Sequence, residues 1–327
     1  MGARANFVLI DRDGWRLHYS HWAADTIASV LVAGPEAAGR FIDAQRLCDP
    51  VHEWLDDAWA EGGAVLDLVD RQLIYYGDQL LWKVERKQVF AALLARTWPG
   101  WRLRWAYDGI GDLAAAVGVD RAHVRFLAGS RLVDTAVLDD FEYVEHLLTV
   151  ESVAGLRVYP LGETDHTAWH GPTLLDLLPA GDVADLELFR TPTGGLHVDT
   201  VTRTIGVWIG FTEPGLLSAL HELWPGWRIE FWEDRYQEQL ARCGGAVRIE
   251  TPDPIETLDT VLEWLRKRLG RNRVESMLDR VTELYSDSEV QLNPHFTEHE
   301  PVDPTDEEWS RVLRAAADLR AELTAGP

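Results

Sequence analysis

The chain has 327 residues, enough to bury a sizeable core and to hold two domains or one duplicated domain. Its hydrophobic content of 46% and charged content of 26% are those of a soluble globular protein. A formal net charge of −23, from 31 bases and 54 acids, opposes non-specific binding to nucleic acid or an anionic membrane and fits a basic protein partner, a cationic ligand or solubility alone.

Cys48 and Cys243 are the only cysteines, so neither a disulfide framework nor a cysteine zinc cluster is expected. No stretch approaches the roughly 18 apolar residues of a membrane span, and the first six residues lack the apolar core of a signal peptide. A cytoplasmic location is expected. Lysine is scarce while arginine and alanine abound, a bias that resembles a GC-rich bacterial genome.

In chain order, residues 6–10 and 15–20 flank Asp11-Arg12-Asp13-Gly14, where Asp-Gly is a strong hairpin signal. Residues 25–32 and 36–45 read as helices broken at Gly34-Pro35. An acidic segment over 48–61 carries Trp54 and Trp59. Short β-rich runs at 64–69 and 72–76 then surround Asp70-Arg71, and 87–97 has the apolar spacing of a helix face.

Trp98-Pro99-Gly100-Trp101-Arg102-Leu103-Arg104-Trp105 follows. Pro99 disfavours helix before it, Gly100 permits a reversal, and Trp101, Leu103 and Trp105 alternate with arginine as in a half-buried strand. The frame returns at Trp224-Pro225-Gly226-Trp227-Arg228-Ile229-Glu230-Phe231. Upstream, Gly62-Gly63 with Asp67 and Arg71 matches Gly194-Gly195 with Asp199 and Arg203. Each copy runs on into a second helix-like segment ending at Gly118 or Gly244. A repeat of this kind describes architecture.

The repeats cover about 62–118 and 194–244, each a hairpin, a helix, a strand and another helix. Trp98, Trp101, Trp224 and Trp227 read as structural residues. Trp101 and Trp227 are expected to be largely buried on the preceding helix; the other reading is an exposed aromatic platform. Asp67 with Arg71 and Asp199 with Arg203 read as opposite charges held across each hairpin.

Between the copies, 120–128, 130–136 and 139–148 look like short helices or turns, 156–161 and 186–190 like strands, and 171–178 like a short helix. After the second copy come a strand at 246–249, an amphipathic helix over 254–269, a further helix over 271–285 and a Pro-containing acidic linker over 286–308. A closing helix over 307–323 docks on the body, or on a partner, through Trp309, Val312, Leu313 and Leu319. The expected fold is α+β: two similar hairpin–helix–strand units with mixed or antiparallel sheets covered by helices, an N-terminal hairpin and C-terminal helices. The expected domains are 1–150, 151–250 and a C-terminal extension over 251–327.

Phosphate-binding loops, dinucleotide fingerprints, His-Glu-x-x-His and nucleophile elbows are absent from the sequence, and no cofactor is expected. His166 and His170 are four apart beside Glu163 and Asp165, which on a helix would put two imidazoles on one face for a metal; a loop is the competing reading. Ser20 and His21, with His18 beside them, are the candidates for nucleophilic chemistry, although neighbours on a strand point to opposite faces. Tyr19, His21 and Trp22 are the binding candidates.

The opening Gly2-Ala3-Arg4-Ala5-Asn6-Phe7-Val8, with Tyr19-Ser20-His21-Trp22, Trp59-Ala60-Glu61-Gly62-Gly63 and Trp98-Pro99-Gly100-Trp101, resembles a group of actinobacterial proteins with Trp-Pro-Gly-Trp repeats. That resemblance brings no catalytic residues and no known activity. By composition alone the chain is similar to the immunity proteins of bacterial toxin systems, an analogy rather than a derivation. Two expectations stand side by side. One is a non-catalytic acidic interaction module, immunity-like or regulatory, with a basic protein partner. The alternative is a hydrolase-like or metal-dependent enzyme using His21 and His18, or His166 and His170.

Overall fold

The Asp-Gly turn sets the first hairpin. Gly14 takes φ 126°, open to glycine and costly for other residues, and β1 (Ala5–Asp11) folds back antiparallel on β2 (Gly14–Ser20). These coordinates are a computed structural model; it describes residues 2–126, 133–138, 143–179, 185–269 and 302–325. The chain divides into two compact units. The first comprises residues 1–81, 86–126 and 254–327, and the second residues 82–85 and 127–253.

In the first unit the hairpin leads through a 3-10 turn (Ala23–Asp25) to α1 (Ile27–Leu31), α2 (Pro35–Asp43) and β3 (Arg46–Cys48). Then come β4 (Gly62–Asp67), β5 (Gln72–Tyr76), α3 (Val84–Thr97), β6 (Arg102–Trp105) and α4 (Ile110–Ala116). The strand order is β3-β2-β1-β4-β5-β6, with β1/β4 and β5/β6 parallel and the other pairs antiparallel. Phe7 packs edge-on against Phe41 of α2, and Gly63 meets Leu113 of α4 on the opposite sheet face, so helices cover both faces.

The second unit runs β7 (His146–Ser152), β8 (Gly155–Leu161), a 3-10 helix (Thr167–Thr173), α5 (Leu174–Leu177) and β9 (Leu186–Leu188). It continues with β10 (Gly194–Asp199), β11 (Thr204–Ile209), α6 (Leu216–Leu223), β12 (Arg228–Phe231), α7 (Tyr236–Arg242) and β13 (Val247–Ile249). Its main sheet has the order β12-β11-β10-β7-β8, and β13 pairs with β9. The fold is α+β with two mixed sheets, and the duplication is larger than the sequence repeat. β7 and β8 stand where β1 and β2 do: β7 runs parallel to β10 as β1 does to β4.

Matching bonds recur across this larger repeat. Glu61 N–H donates to Arg4 carbonyl (2.9 Å) as Thr193 N–H does to Glu145 (2.8 Å). Trp98 Nε1 donates to Leu31 carbonyl (2.7 Å) as Trp224 Nε1 does to Ala168 (2.8 Å). Gly34 and Gly171, each before a proline, take φ 107° and 64°, and a Cβ on either would meet the carbonyl of Thr97 or Leu223.

Several expectations need correction. The boundary at residue 150 falls inside β7, and residues 146–148, read as helix or turn, are strand. The C-terminal stretch is no separate extension. α8 (Pro254–Arg268) and α9 (Asp306–Ala325) belong to the first unit, where Ser29 Oγ donates to Leu265 carbonyl (3.2 Å) and Arg40 grips Glu308 through two bonds of 2.8 and 2.7 Å. α9 docks through Val312, Ala315, Ala316 and Leu319, while Leu313 faces solvent. Residues 133–136 are not helical, and the helix over 271–285 lies outside the described residues.

The tryptophans exchange roles. Trp98 and Trp224 are 1% exposed, whereas Trp101 and Trp227 are half-buried and pack edge-on against them at 4.9 and 5.1 Å. Asp67 and Asp199 do not pair with Arg71 and Arg203 among the described residues. Each carboxylate accepts backbone N–H bonds of 2.8–3.0 Å from the turn, those of Val69 and Asp70 or of Val201 and Thr202. Arg71 and Arg203 are the turn's left-handed residues, at φ 51° and 53°.

Candidate functional site

At the end of β2, Tyr19 hydroxyl meets His21 Nδ1 at 2.9 Å, and His21 packs edge-on against Trp22 at 4.7 Å. The guanidinium of Arg46, the β3 partner of Tyr19, lies 5.0 Å over the tyrosine ring, and that of Arg4 lies 4.6 Å over Trp59. Burial raises the Tyr19 pKa above its ordinary value, and desolvation followed by the Arg4 charge lowers that of His21, so both are neutral near pH 7. Ser20 is not paired with His21; its Oγ accepts the Trp22 N–H at 3.5 Å. His18, on the other sheet face, bonds Gln45 carbonyl at 3.1 Å through Nδ1. The expected Tyr19, His21 and Trp22 cluster therefore forms, while the Ser20–His21 pair does not.

His166 and His170 separate. His166 caps the 3-10 helix: its Nδ1 accepts the Ala168 N–H (3.2 Å), which leaves Nε2–H to donate to Trp208 carbonyl (3.2 Å). Its neighbour is His146 of β7, edge-on at 4.5 Å, whose Nε2 bonds Thr167 Oγ1 at 2.8 Å. The kink at Gly171 and the 3-10 winding remove the α-helical face that would have aligned His166 with His170. Among the described residues no group of three His, Cys, Asp or Glu side chains could hold a metal.

On the other face of that sheet, Thr149 and His197 are register partners on β7 and β10, joined Oγ1 to Nδ1 at 3.0 Å. Gln239 of α7 donates to Thr149 Oγ1 (2.9 Å) and to the carbonyls of Leu147 and Leu196, and accepts from Trp208 Nε1 (2.6 Å). His197 Nε2 faces the Glu151 carboxylate at 3.7 Å. Hydroxyl, imidazole and carboxylate thus stand in the order of a catalytic triad. Thr149, His197 and Gln239 are, however, 0% exposed, which seals the hydroxyl from any substrate. Burial holds His166 and His197 down at about 4, and His146 well below its ordinary value.

A third group lies on the first unit. Val51, Trp59 and Phe126 are 59%, 53% and 52% exposed, amid Asp49, Glu53, Asp56, Asp57 and Glu61. Their two segments are tied together. His123 Nε2 bonds Val51 carbonyl (3.0 Å), Asp57 N–H donates to Val124 carbonyl (3.0 Å), and Phe126 N–H donates to Asp57 Oδ1 (2.8 Å). Below them, Arg125 reaches Asp57 and Asp108, and Arg121 bridges Asp108 (2.8 Å) and Asp112 (2.7 Å), the last two carboxylates being nearly inaccessible. Shared, part-buried ion pairs of this kind tie the 121–126 segment to Asp57 and to the start of α4.

Comparison of the chain with family models, curated proteins and solved structures found no match. Sequence reasoning missed Arg4, Arg46, the Asp57–Asp108–Asp112–Arg121–Arg125 cluster and the Thr149–His197–Gln239 network. Aligning β7 with β1 would have exposed the last, since Thr149, His197 and Gln239 stand where the first unit has Val8, Val65 and Leu113.

Proposed function

We propose that the chain is a non-catalytic interaction module whose first unit docks a basic protein partner. The observation that carries this reading is the face formed by residues 49–61 and 121–126. There three large apolar side chains are exposed on segments tied together by part-buried ion pairs and rimmed by carboxylates. Exposed aromatics in a pre-organised setting supply affinity, and surrounding charge supplies encounter rate and selectivity. The reading includes a cytoplasmic location, supported by two buried, unpaired cysteines whose thiols burial pushes up to about 11.

The alternative, a hydrolase-like enzyme, draws its support from the Tyr19–His21 hydrogen bond beside Arg4. One comparison separates the two. Host lysate is passed over the wild-type chain, a Trp59→Ala/Phe126→Ala variant and a Glu61→Lys variant, and retained proteins are identified at rising salt. Basic proteins held by the wild type at low salt, lost from the double variant and weakened by the charge reversal are expected. Retention of the same proteins by all three, or turnover of any substrate abolished in His21→Ala with the fold intact, overturns the reading.

A further inference from the structure

The duplicated fold supplies an internal control. Six positions that are apolar or small in the first unit, or carry a tyrosine, form two buried polar clusters in the second. Thr149, His197, Gln239 and Trp208 replace Val8, Val65, Leu113 and Tyr76; His146 and His166 replace Ala5 and Ser29. All three histidines are at least 96% buried; His166 Nδ1 accepts a backbone N–H, and His146 and His197 each bond a threonine hydroxyl. We propose that the second unit is the acid-labile half of the molecule, opening on mild acidification while the first unit keeps its fold.

The argument rests on which protonation state each core can accept. His166 is bonded at both ring nitrogens, one as acceptor, so a second ring proton would break its bond to Ala168 N–H. It would also set two cations 4.5 Å apart once His146 followed. Among the described residues this pair bonds Thr167 Oγ1 and the backbone of Ala168, Trp208 and Gly195, none of them a carboxylate. His197 faces Thr149 on β7, Asp199 on its own strand, Glu230 on β12, Glu151 on β7 and Arg242 on α7. The carboxylates favour its cation, Arg242 opposes it, and burial outweighs both.

An unfolded histidine takes up its proton near pH 6.5, whereas these sites stay neutral down to about 4 for His166 and His197. The unfolded form therefore binds more protons across that window, and stability falls as pH falls. Each histidine multiplies the opening equilibrium about tenfold per pH unit. His18 is the one histidine among the described buried side chains of the first unit, which also holds a buried carboxyl of opposite sense. Burial pushes the Asp78 carboxyl up to about 6, so its uptake of a proton favours the folded form as pH falls.

Hydrogen exchange of the full chain, resolved by peptide and corrected for intrinsic rates, tests this from neutrality down to about pH 5.5, where ordinary carboxylates are still mostly ionised. Protection of β7, β10 and β11 is expected to fall more than tenfold per pH unit, and that of β1, β4 and β5 more slowly. Two variants install the first unit's residues: Thr149→Val/His197→Val/Gln239→Leu and His146→Ala/His166→Ser. The first should flatten the second unit's pH slope by about tenfold per unit and the second by up to about a hundredfold. Should the triple variant be unprotected at neutral pH, the slope of the double variant decides. Parallel loss in both units, earlier loss in the first, or unchanged slopes in the folded variants overturns the proposal.

Discussion

Trp98 and Trp224 each bury a full indole and spend its N–H on a carbonyl of the preceding crossover, so one side chain fixes both packing and chain direction. Truncation of either to alanine is expected to cost about 3–5 kcal/mol in denaturant unfolding of its unit. Half-buried Trp101 and Trp227 should cost about 1–3 kcal/mol, because part of each ring already meets water. Equal losses at all four positions would show that the edge-on pairs act as single blocks. The Trp-Pro-Gly-Trp spacing was legible in the sequence; which tryptophan faced inward was not. The alternating pattern in the sequence runs back to Trp101, yet β6 begins at Arg102, and Trp101 sits in the turn.

At the scale of elements, α9 is held by its apolar stripe and by Glu308. The paired bond from Arg40, then the Thr305 backbone and hydroxyl, draw the carboxyl down to about 2. A carboxyl with a depressed folded pKa stabilises above its ordinary range near 4.5 and loses that contribution as pH falls towards about 2. Protection of residues 306–325 should therefore decline in that acid range, and Glu308→Gln should lower it at neutral pH; unchanged exchange in the variant would refute this.

The hairpins were readable because turn chemistry at Gly14, at Asp67 and at Asp199 stands between short β-rich runs. β7 was not. His146-Leu147-Leu148-Thr149-Val150 is a central strand buried on both faces, so it lacks the period-two signal and reads equally as helix. Missing it hid the larger duplication and, with it, the buried histidines. The binding candidates at Tyr19–Trp22 were legible as a polar-aromatic cluster. The face at residues 49–61 and 121–126 was not, because its two segments are joined by tertiary bonds such as His123 to Val51.

For the whole molecule, surplus carboxylates are partly absorbed: Asp57, Asp108, Asp112 and Glu308 are tied to arginine. No helix among the described residues is long and apolar enough to cross a membrane. Both α8 and α9 return to the first unit, so deleting residues 302–327 should destabilise that unit by about 3–6 kcal/mol, the burial of Val312 and Leu319. Exchange protection of β10 and β11 should be unaffected; loss there as well would show that the deletion acts beyond its own unit.

The split first unit also sets an order of events at the ribosome. Residues 127–253 are made before α8 and α9 exist, an interval of about 6–25 s at ~5–20 residues per second. Until then α1 lacks the backbone acceptor that Ser29 uses at Leu265, and Asp78 lacks the Trp264 indole. A nascent chain therefore carries a completed second unit beside an unfinished first one, and truncated translation products would expose the uncovered surface of α1 and α2 to chaperones and proteases.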